Sequence, residues 1–250
     1  MSVSGLLGGL GEMLSGLGGV LQRLASTLPD VGVVGGSGNI VIETRPVSGF
    51  KRLDVSGIGE VTVTQGDAEA LEVEAEDNIM PYIESEVRGD TLVLGLRSST
   101  QQPCPKPTKP VKFRLQVREL VGLSVSGSVS VASLSLSVPE LSIDISGAAS
   151  VDIKHIRTGR LRSCISGCGS VSLAGEADTQ ELEVSGAGSL AARNLVSRVC
   201  HVGVSGTGSA VVHASESLKL DVSGVASVSY AGNPSVTKRV DGLASIERIG

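Results

Sequence analysis

The chain has 250 residues, yet its 33 glycines stand beside only two Tyr, two Phe and no Trp, which excludes one thick core built around aromatic rings. Its 26 acidic and 21 basic side chains give a net charge of −5 without a basic block, so nucleic acid is not an expected partner.

Leu10, Leu14, Leu17, Leu21, Leu24 and Leu28 are spaced 4, 3, 4, 3 and 4, the rhythm of a helix with one apolar seam, and this predicts a helical arm over residues 1–30. Gly11, Gly18 and Gly19 weaken such a helix, so it is expected to need a cover: a second copy, a lipid surface or the open end of its own fold. No Lys or Arg precedes Arg23 and no small-residue cleavage site follows, so no export leader is read here, and a chain starting at Met1 is expected to have lost none. Glu12 and Arg23 argue against a membrane span. Pro29 ends the arm and residues 31–38 read as a linker.

The rest, residues 31–250, reads as one repeat domain. Gly36 is followed by Ile40 and Ile42, which predicts a first coil, and Gly57 is followed in the same way by Val61 and Val63, with Glu60 where later coils carry Ser. Residues 64–117 interrupt the repeat and are expected to form a small antiparallel insertion. Leu71 to Ala75 alternates as a strand, and Val87 to Leu94 reads as a hairpin around Gly89 and Asp90. Asp77 to Ser85 is expected to be a turn or short helix. Ser98 to Pro110 holds four prolines and is expected to stay out of any sheet ladder.

From Ser126 onward the phrase Ser-Gly-x-x-Ser-apolar recurs. Its glycines, Gly127, Gly147, Gly167, Gly186, Gly206, Gly224 and Gly242, are spaced 20, 20, 19, 20, 18 and 18 residues apart, which is the period of a solenoid. Two residues before each stands an apolar side chain: Val125, Ile145, Ile165, Val184, Val204, Val222 and Val240. Four residues after come Val131, Val151, Val171, Leu190, Ala210, Val228 and Ile246. Alternation on both sides of a small-residue corner predicts strand, corner, strand in each coil, stacked as parallel ladders. The fold class is therefore all-β, a parallel β-helix of about 20 residues per coil, with these seven glycines as structural corners.

Phe50-Lys51-Arg52-Leu53-Asp54-Val55-Ser56-Gly57, Val61 to Asp67, and Asp77-Asn78-Ile79-Met80-Pro81-Tyr82-Ile83-Glu84, followed by the Ser-Gly coils, resemble the head GIN domain family of auto-transporter adhesins over residues 43–250. The resemblance implies a right-handed parallel β-helix, usually in exported or envelope proteins. It supplies no catalytic residues. The chain departs from the family pattern in the Leu10 to Leu28 segment and in lacking a clear leader.

No constellation for catalysis emerges, and no cofactor or metal is expected. Cys104, Cys164, Cys168 and Cys200 fall at different offsets from their corner glycines, so none should stack on another, and no Cys-x-x-Cys is present. Asp144, Asp152, Asp178, Glu181 and Glu183 read as scattered over different columns, and His155, His201 and His213 share none. The serine columns beside the glycine and three residues after it are expected to satisfy backbone groups and bond along the stack. The resulting expectation is a non-enzymatic, adhesin-like module that self-associates, even into filaments, through Val240 and Ile246 of its last coil, through the leucine seam, or both. A carbohydrate-binding or carbohydrate-cleaving β-helix and a protein held to a membrane surface by its arm are the alternatives; a groove lined by three or more carboxylates would favour the first of these.

Overall fold

A computed structural model of the chain describes residues 32–97 and 103–249. The helical arm expected over residues 1–30, with Leu10, Leu14, Leu17, Leu21, Leu24 and Leu28, lies outside the described residues. Two units are distinguished, one holding the described residues 32–34 and 103–104, the other residues 35–97 and 105–249. In the first, the Cys104 amide donates to the Gly32 carbonyl at 3.0 Å.

Strands β1 (Val33–Gly35) and β7 (Cys104–Lys106) form a two-stranded sheet of their own. The proline-rich segment thus joins a ladder after all. The Cys104 N–H and the Lys106 C=O face the partner strand, so the Pro105 nitrogen, which carries no hydrogen to donate, is on the free side.

The second unit is a β-solenoid of about six turns with about 20 residues per turn. Its stacked strands are β3 (Arg52–Gln65), β9 (Gly122–Ser133), β10 (Leu136–Ile145), β11 (Ser150–Ile165), β12 (Ser170–Val184), β13 (Ser189–Val204), β14 (Thr207–Val222), β15 (Val225–Ala231), β16 (Ser235–Val240) and β17 (Leu243–Arg248). Every pairing among them is parallel. Alternation puts Val125, Ile145, Ile165, Val184, Val204 and Val222 inside in one column, and Val131, Val151, Val171, Leu190, Ala210 and Val228 in another, all buried. Each such aliphatic side chain contributes about 1.5–3 kcal/mol by leaving water, and no ring is needed to fill so narrow a stack.

The corners explain the glycines. A Cβ on Gly127 would overlap the carbonyl oxygen of Gly57, and the same collision recurs up the stack at Gly147, Gly167, Gly186, Gly206, Gly224 and Gly242, each against the preceding glycine. That oxygen is held in place because the residue after the next glycine bonds to it: Ala148 to Gly127 at 2.8 Å, Cys168 to Gly147 at 3.0 Å, Val225 to Gly206 at 3.0 Å. Close backbone approach is thus what the position demands.

The uneven period is absorbed elsewhere. Ile153 pairs with Leu173 but Ile156 pairs with Gly175, so one residue is lost at the second bend of β12, and the shorter coil after β13 is accommodated between Ala191 and Val199.

The stretch before β9 departs from expectation in two ways. Strand β2 (Ile40–Arg45), with Ile40 and Ile42, does not begin a coil: it pairs antiparallel with β4 (Ala70–Glu76). Within residues 64–117 only part of the pairing is antiparallel. The hairpin expected around Gly89-Asp90 is present as β5 (Ile83–Arg88) and β6 (Thr91–Leu96), after a 3-10 turn at Met80–Tyr82, and β4 is antiparallel to β8 (Lys112–Val117). Yet β6 and β8 run parallel to the two halves of β3, extending the ladder by one more layer.

A buried carboxylate ties this end together. Glu76, 1% exposed, accepts from the Gly38 amide at 2.8 Å, the Thr108 amide at 2.8 Å and the Thr108 hydroxyl at 2.5 Å. The Thr108 hydroxyl above all, with these amides, holds its pKa below the ordinary value. Asp77 and Asn78 pin the same loop, the Asn78 side chain meeting the Ser37 amide at 2.9 Å and the Gly35 carbonyl at 2.8 Å.

Candidate functional site

Outward positions of the solenoid wall are under no packing constraint, so chemistry should be sought there. Three outward columns run along the face formed before the glycine corner. The middle one reads Asp54, Ser124, Asp144, Cys164, Glu183, Gly203, Asp221 and Arg239, each paired in register with the next. Asp144 and Glu183 therefore share a column, contrary to the scattering expected of the carboxylates. The flanking columns carry Arg162, Glu181, His201 and Lys219 on one side and Ser166, Ser185, Ser205, Ser223 and Asp241 on the other.

Ion pairs knit part of this face. His201 Nε2 lies 2.9 Å from Asp221 Oδ2, which Lys219 Nζ approaches at 3.0 Å, and Arg162 reaches Glu183 at 3.6 Å. The hydrogen bond from His201, and then that from Lys219, lowers the Asp221 pKa. Burial, and then the nearby Glu183 carboxylate, raises that of the Cys164 thiol. Above Gly203 the face is hollowed: a cavity of about 540 Å³ is lined by Glu183, Asp221, Asp241, Lys219 and Arg239, with the serines of the corner column at its rim.

After the corner, the second serine column forms an unbroken ladder, Ser130, Ser150, Ser170, Ser189, Ser209, Ser227 and Ser245, with Glu60 below Ser130. Ser130 and Ser150 bond through their hydroxyls at 2.8 Å, and the corner hydroxyls of Ser166 and Ser185 donate to the carbonyls of Ile145 and Ile165 at 3.2 and 3.5 Å. These serines act on the stack itself.

The cysteines do not converge. Cys164 lies in register with Asp144 and Glu183, and Cys200 with Gln180 and Leu218; all four are free thiols, and burial pushes that of Cys200 up to about 12. Among the described residues no group of three or more His, Cys, Asp or Glu is placed to hold a metal ion, and no helix is long and apolar enough to cross a membrane.

The last coil is the other departure from the regular wall. Val240 on β16 is 44% exposed and Ile246 on β17 is half-buried, whereas their counterparts in the preceding coils are covered. Val236 is exposed beside them, over the buried Leu218, whereas Leu243 continues an outward column in which Val225 is exposed too. Lys238 stands in the inward column that elsewhere holds Leu123, Ile143, Ser163, Leu182, Val202 and Leu220. The sequence pointed to Val240 and Ile246 through the columns, and Lys238 was legible in the same way; the column through Gly203 also keeps one offset, three residues before each corner glycine, but its mixed chemistry gave no repeat signal and the hollow itself needed the structure.

A family model described as "Putative auto-transporter adhesin, head GIN domain" matches residues 49–234. Among solved structures, a protein of Bacteroides fragilis described as a putative adhesin is similar at a TM-score of 0.81 and 27% identity, over 86% of this chain and 100% of its own. A Parabacteroides distasonis protein described as a putative lipid binding protein reaches 0.74 at 22% identity, covering 87% and 99%. A putative adhesin of Parabacteroides merdae reaches 0.70 at 18% identity, covering 88% and 100%; these last two likenesses concern the fold alone. No curated protein matches the chain.

Proposed function

Since the chain belongs to the auto-transporter adhesin head GIN domain family, we propose that it works as a non-enzymatic, adhesin-like β-solenoid that self-associates through the edge of its last coil. The observation that carries this reading is the contrast between Val240, 44% exposed, and the buried Val222 directly beneath it in register. An edge of this kind offers unpaired N–H and C=O groups together with apolar side chains, which is a template for another strand. The occupant is a second copy of this chain, because Val236, Val240 and Ile246, which lie in register over the buried Leu218, Val222 and Val228, present to it the same aliphatic chemistry that holds the coils to one another. Lys238 sets the strength of the contact: a charge pointing inward at an edge opposes endless addition, so short assemblies are favoured over filaments. The spacing of Leu10 to Leu28 supports a second contact through the arm.

Light scattering on the full chain tests the reading. Dimers or larger species are expected, collapsing to monomer in the double variant Val240→Lys/Ile246→Lys and growing longer in Lys238→Leu. A wild-type chain that stays monomeric at high micromolar concentration would sink it. A variant lacking residues 1–31 separates the contribution of the arm from that of the edge.

A further inference from the structure

Gly203 has no structural reason to be glycine. Of the glycines within the coil strands β3 and β9 to β17, it alone combines a backbone outside the left-handed region with free space: a Cβ there would find its nearest neighbours, Glu183 Cγ and the Leu182 carbonyl, at an ordinary 3.8 Å. At the corner glycines, by contrast, an added Cβ collides with backbone. A glycine inside a strand weakens it, and where neither sterics nor backbone geometry asks for one, the remaining reason is that something else occupies the space.

What is left open is the floor of the 540 Å³ hollow, within the size range of small-ligand sites. Glu183 and Asp221 flank that floor one coil to either side, their backbones about 9.5 Å apart at the usual strand spacing. Asp241, Lys219 and Arg239 complete the polar walls. Acceptors and donors are thus interleaved, three carboxylates against two cations, of which Lys219 already bonds Asp221 at 3.0 Å. An anionic ligand would meet the carboxylates. An apolar one would strand charged groups without water. A lone divalent cation lacks its ligand set, since no three His, Cys, Asp or Glu converge among the described residues. A neutral molecule rich in hydroxyls suits the walls, because each hydroxyl both donates and accepts, and a carboxylate can take two neighbouring hydroxyls at once.

We propose that the hollow over Gly203 is a saccharide site, in which a neutral hexose unit sits on the bare Gly203 backbone between Glu183 and Asp221. The proposal goes beyond self-association and does not depend on it, as the site is complete within one chain. The absence of an aromatic platform makes binding weak for a free sugar, so avidity from several copies, or several units of one glycan, would supply the strength.

Saturation-transfer NMR on the full chain with glucose, galactose, mannose and N-acetylglucosamine provides the test, with N-acetylneuraminic acid and glucosamine as charged arms. Transfer to the ring protons of at least one neutral sugar is expected. Gly203→Leu should reduce it at least five-fold at a melting temperature no lower than that of the wild type, and Asp241→Asn should weaken it, while Arg193→Leu elsewhere on β13 leaves it intact. Should Gly203→Leu fail to fold, Asp221→Asn takes its place. Absence of transfer from every neutral sugar, transfer only from the charged ones, or transfer indifferent to the hollow's variants would each overturn the site. Oligomeric state, read by light scattering on the same samples, shows separately whether the self-association reading stands.

Discussion

Gly147 lies so close on Gly127 that a Cβ on Gly147 would overlap the Gly127 carbonyl oxygen and come within 3.0 Å of its carbonyl carbon. The Ala148 amide bonds to that same oxygen at 2.8 Å, and neighbouring coils hold both backbones, so neither side can yield. Gly147→Ala is expected to lower stability by about 2–3 kcal/mol, seen as a reduced urea midpoint. An unchanged midpoint would show that the coils have slack that this geometry does not suggest.

Gly203→Ala should do the reverse. With 3.8 Å of clearance and no left-handed backbone, the methyl costs nothing in the fold and removes the entropy of a strand glycine, a gain of about 0.5–1 kcal/mol. The pair of variants, measured side by side, separates glycines needed for stacking from one that is not.

Acid should loosen the clamp at Glu76 before the solenoid unfolds. Its folded pKa is below the ordinary 4.5, so its contribution is present above that pH and is lost as pH falls through the depressed folded value. Hydrogen exchange at the Thr108 and Gly38 amides is therefore expected to accelerate over that window. Glu76→Gln should show fast exchange at neutral pH and no such acid step, and a step that persists in this variant would assign it to Glu74 or Asp77, whose pKa values are lowered too.

Thiol labelling at pH 8 should divide the cysteines. Cys104 and Cys168 are exposed and should react at once, Cys164 is half-buried and should lag, and Cys200 should be silent until unfolding. A thiol with a pKa of about 12 is ionised in only about one molecule in ten thousand at that pH, and this one is also sealed from reagent. Rapid labelling of all four would mean that β13 opens in the native state.

Gln180 interrupts an aliphatic column, standing between Leu161 and Cys200 with Leu218 beyond. Its Oε1 accepts from Ser197 at 3.3 Å and from the Cys200 thiol at 3.6 Å, but its buried Nε2 finds no protein acceptor. Ser197 keeps a second acceptor, the His213 carbonyl at 2.9 Å, so Gln180→Leu leaves only the weak thiol donor of Cys200 without its partner. It should raise stability by about 1 kcal/mol, judged by thermal unfolding; a loss would mean that the amide is satisfied by a buried water.

The repeat was legible because inward positions are filled almost throughout by apolar residues of a narrow size range, Ser163, Gln180 and Lys238 being departures, and because the corner accepts only glycine. Ile40 and Ile42 misled for a definite reason: alternation with period two marks a strand with one covered face, yet it carries no record of whether the neighbour runs parallel or antiparallel. Pro105 misled because the rule concerns one side of the strand and the sequence does not say which side is bonded. The Asp144, Cys164, Glu183, Gly203 and Asp221 column was hidden by its own freedom. Each of its members stands three residues before a corner glycine, so the offset aligns them in the sequence, but they share no residue type and therefore do not read as a repeat.

The placement of slack in each coil has a consequence for how such a protein can change. The Ser-Gly corner works as a ruler and the opposite bend, at Gly175 and between Ala191 and Val199, takes up every missing residue. Single insertions or deletions should survive only at that bend, whereas excising a block from one corner glycine to the next, such as the 20 residues from Gly147 to Ser166, would bring Ser146 and Gly167 together with both ladders still aligned. Length in this architecture is therefore digital, inherited and lost in whole turns.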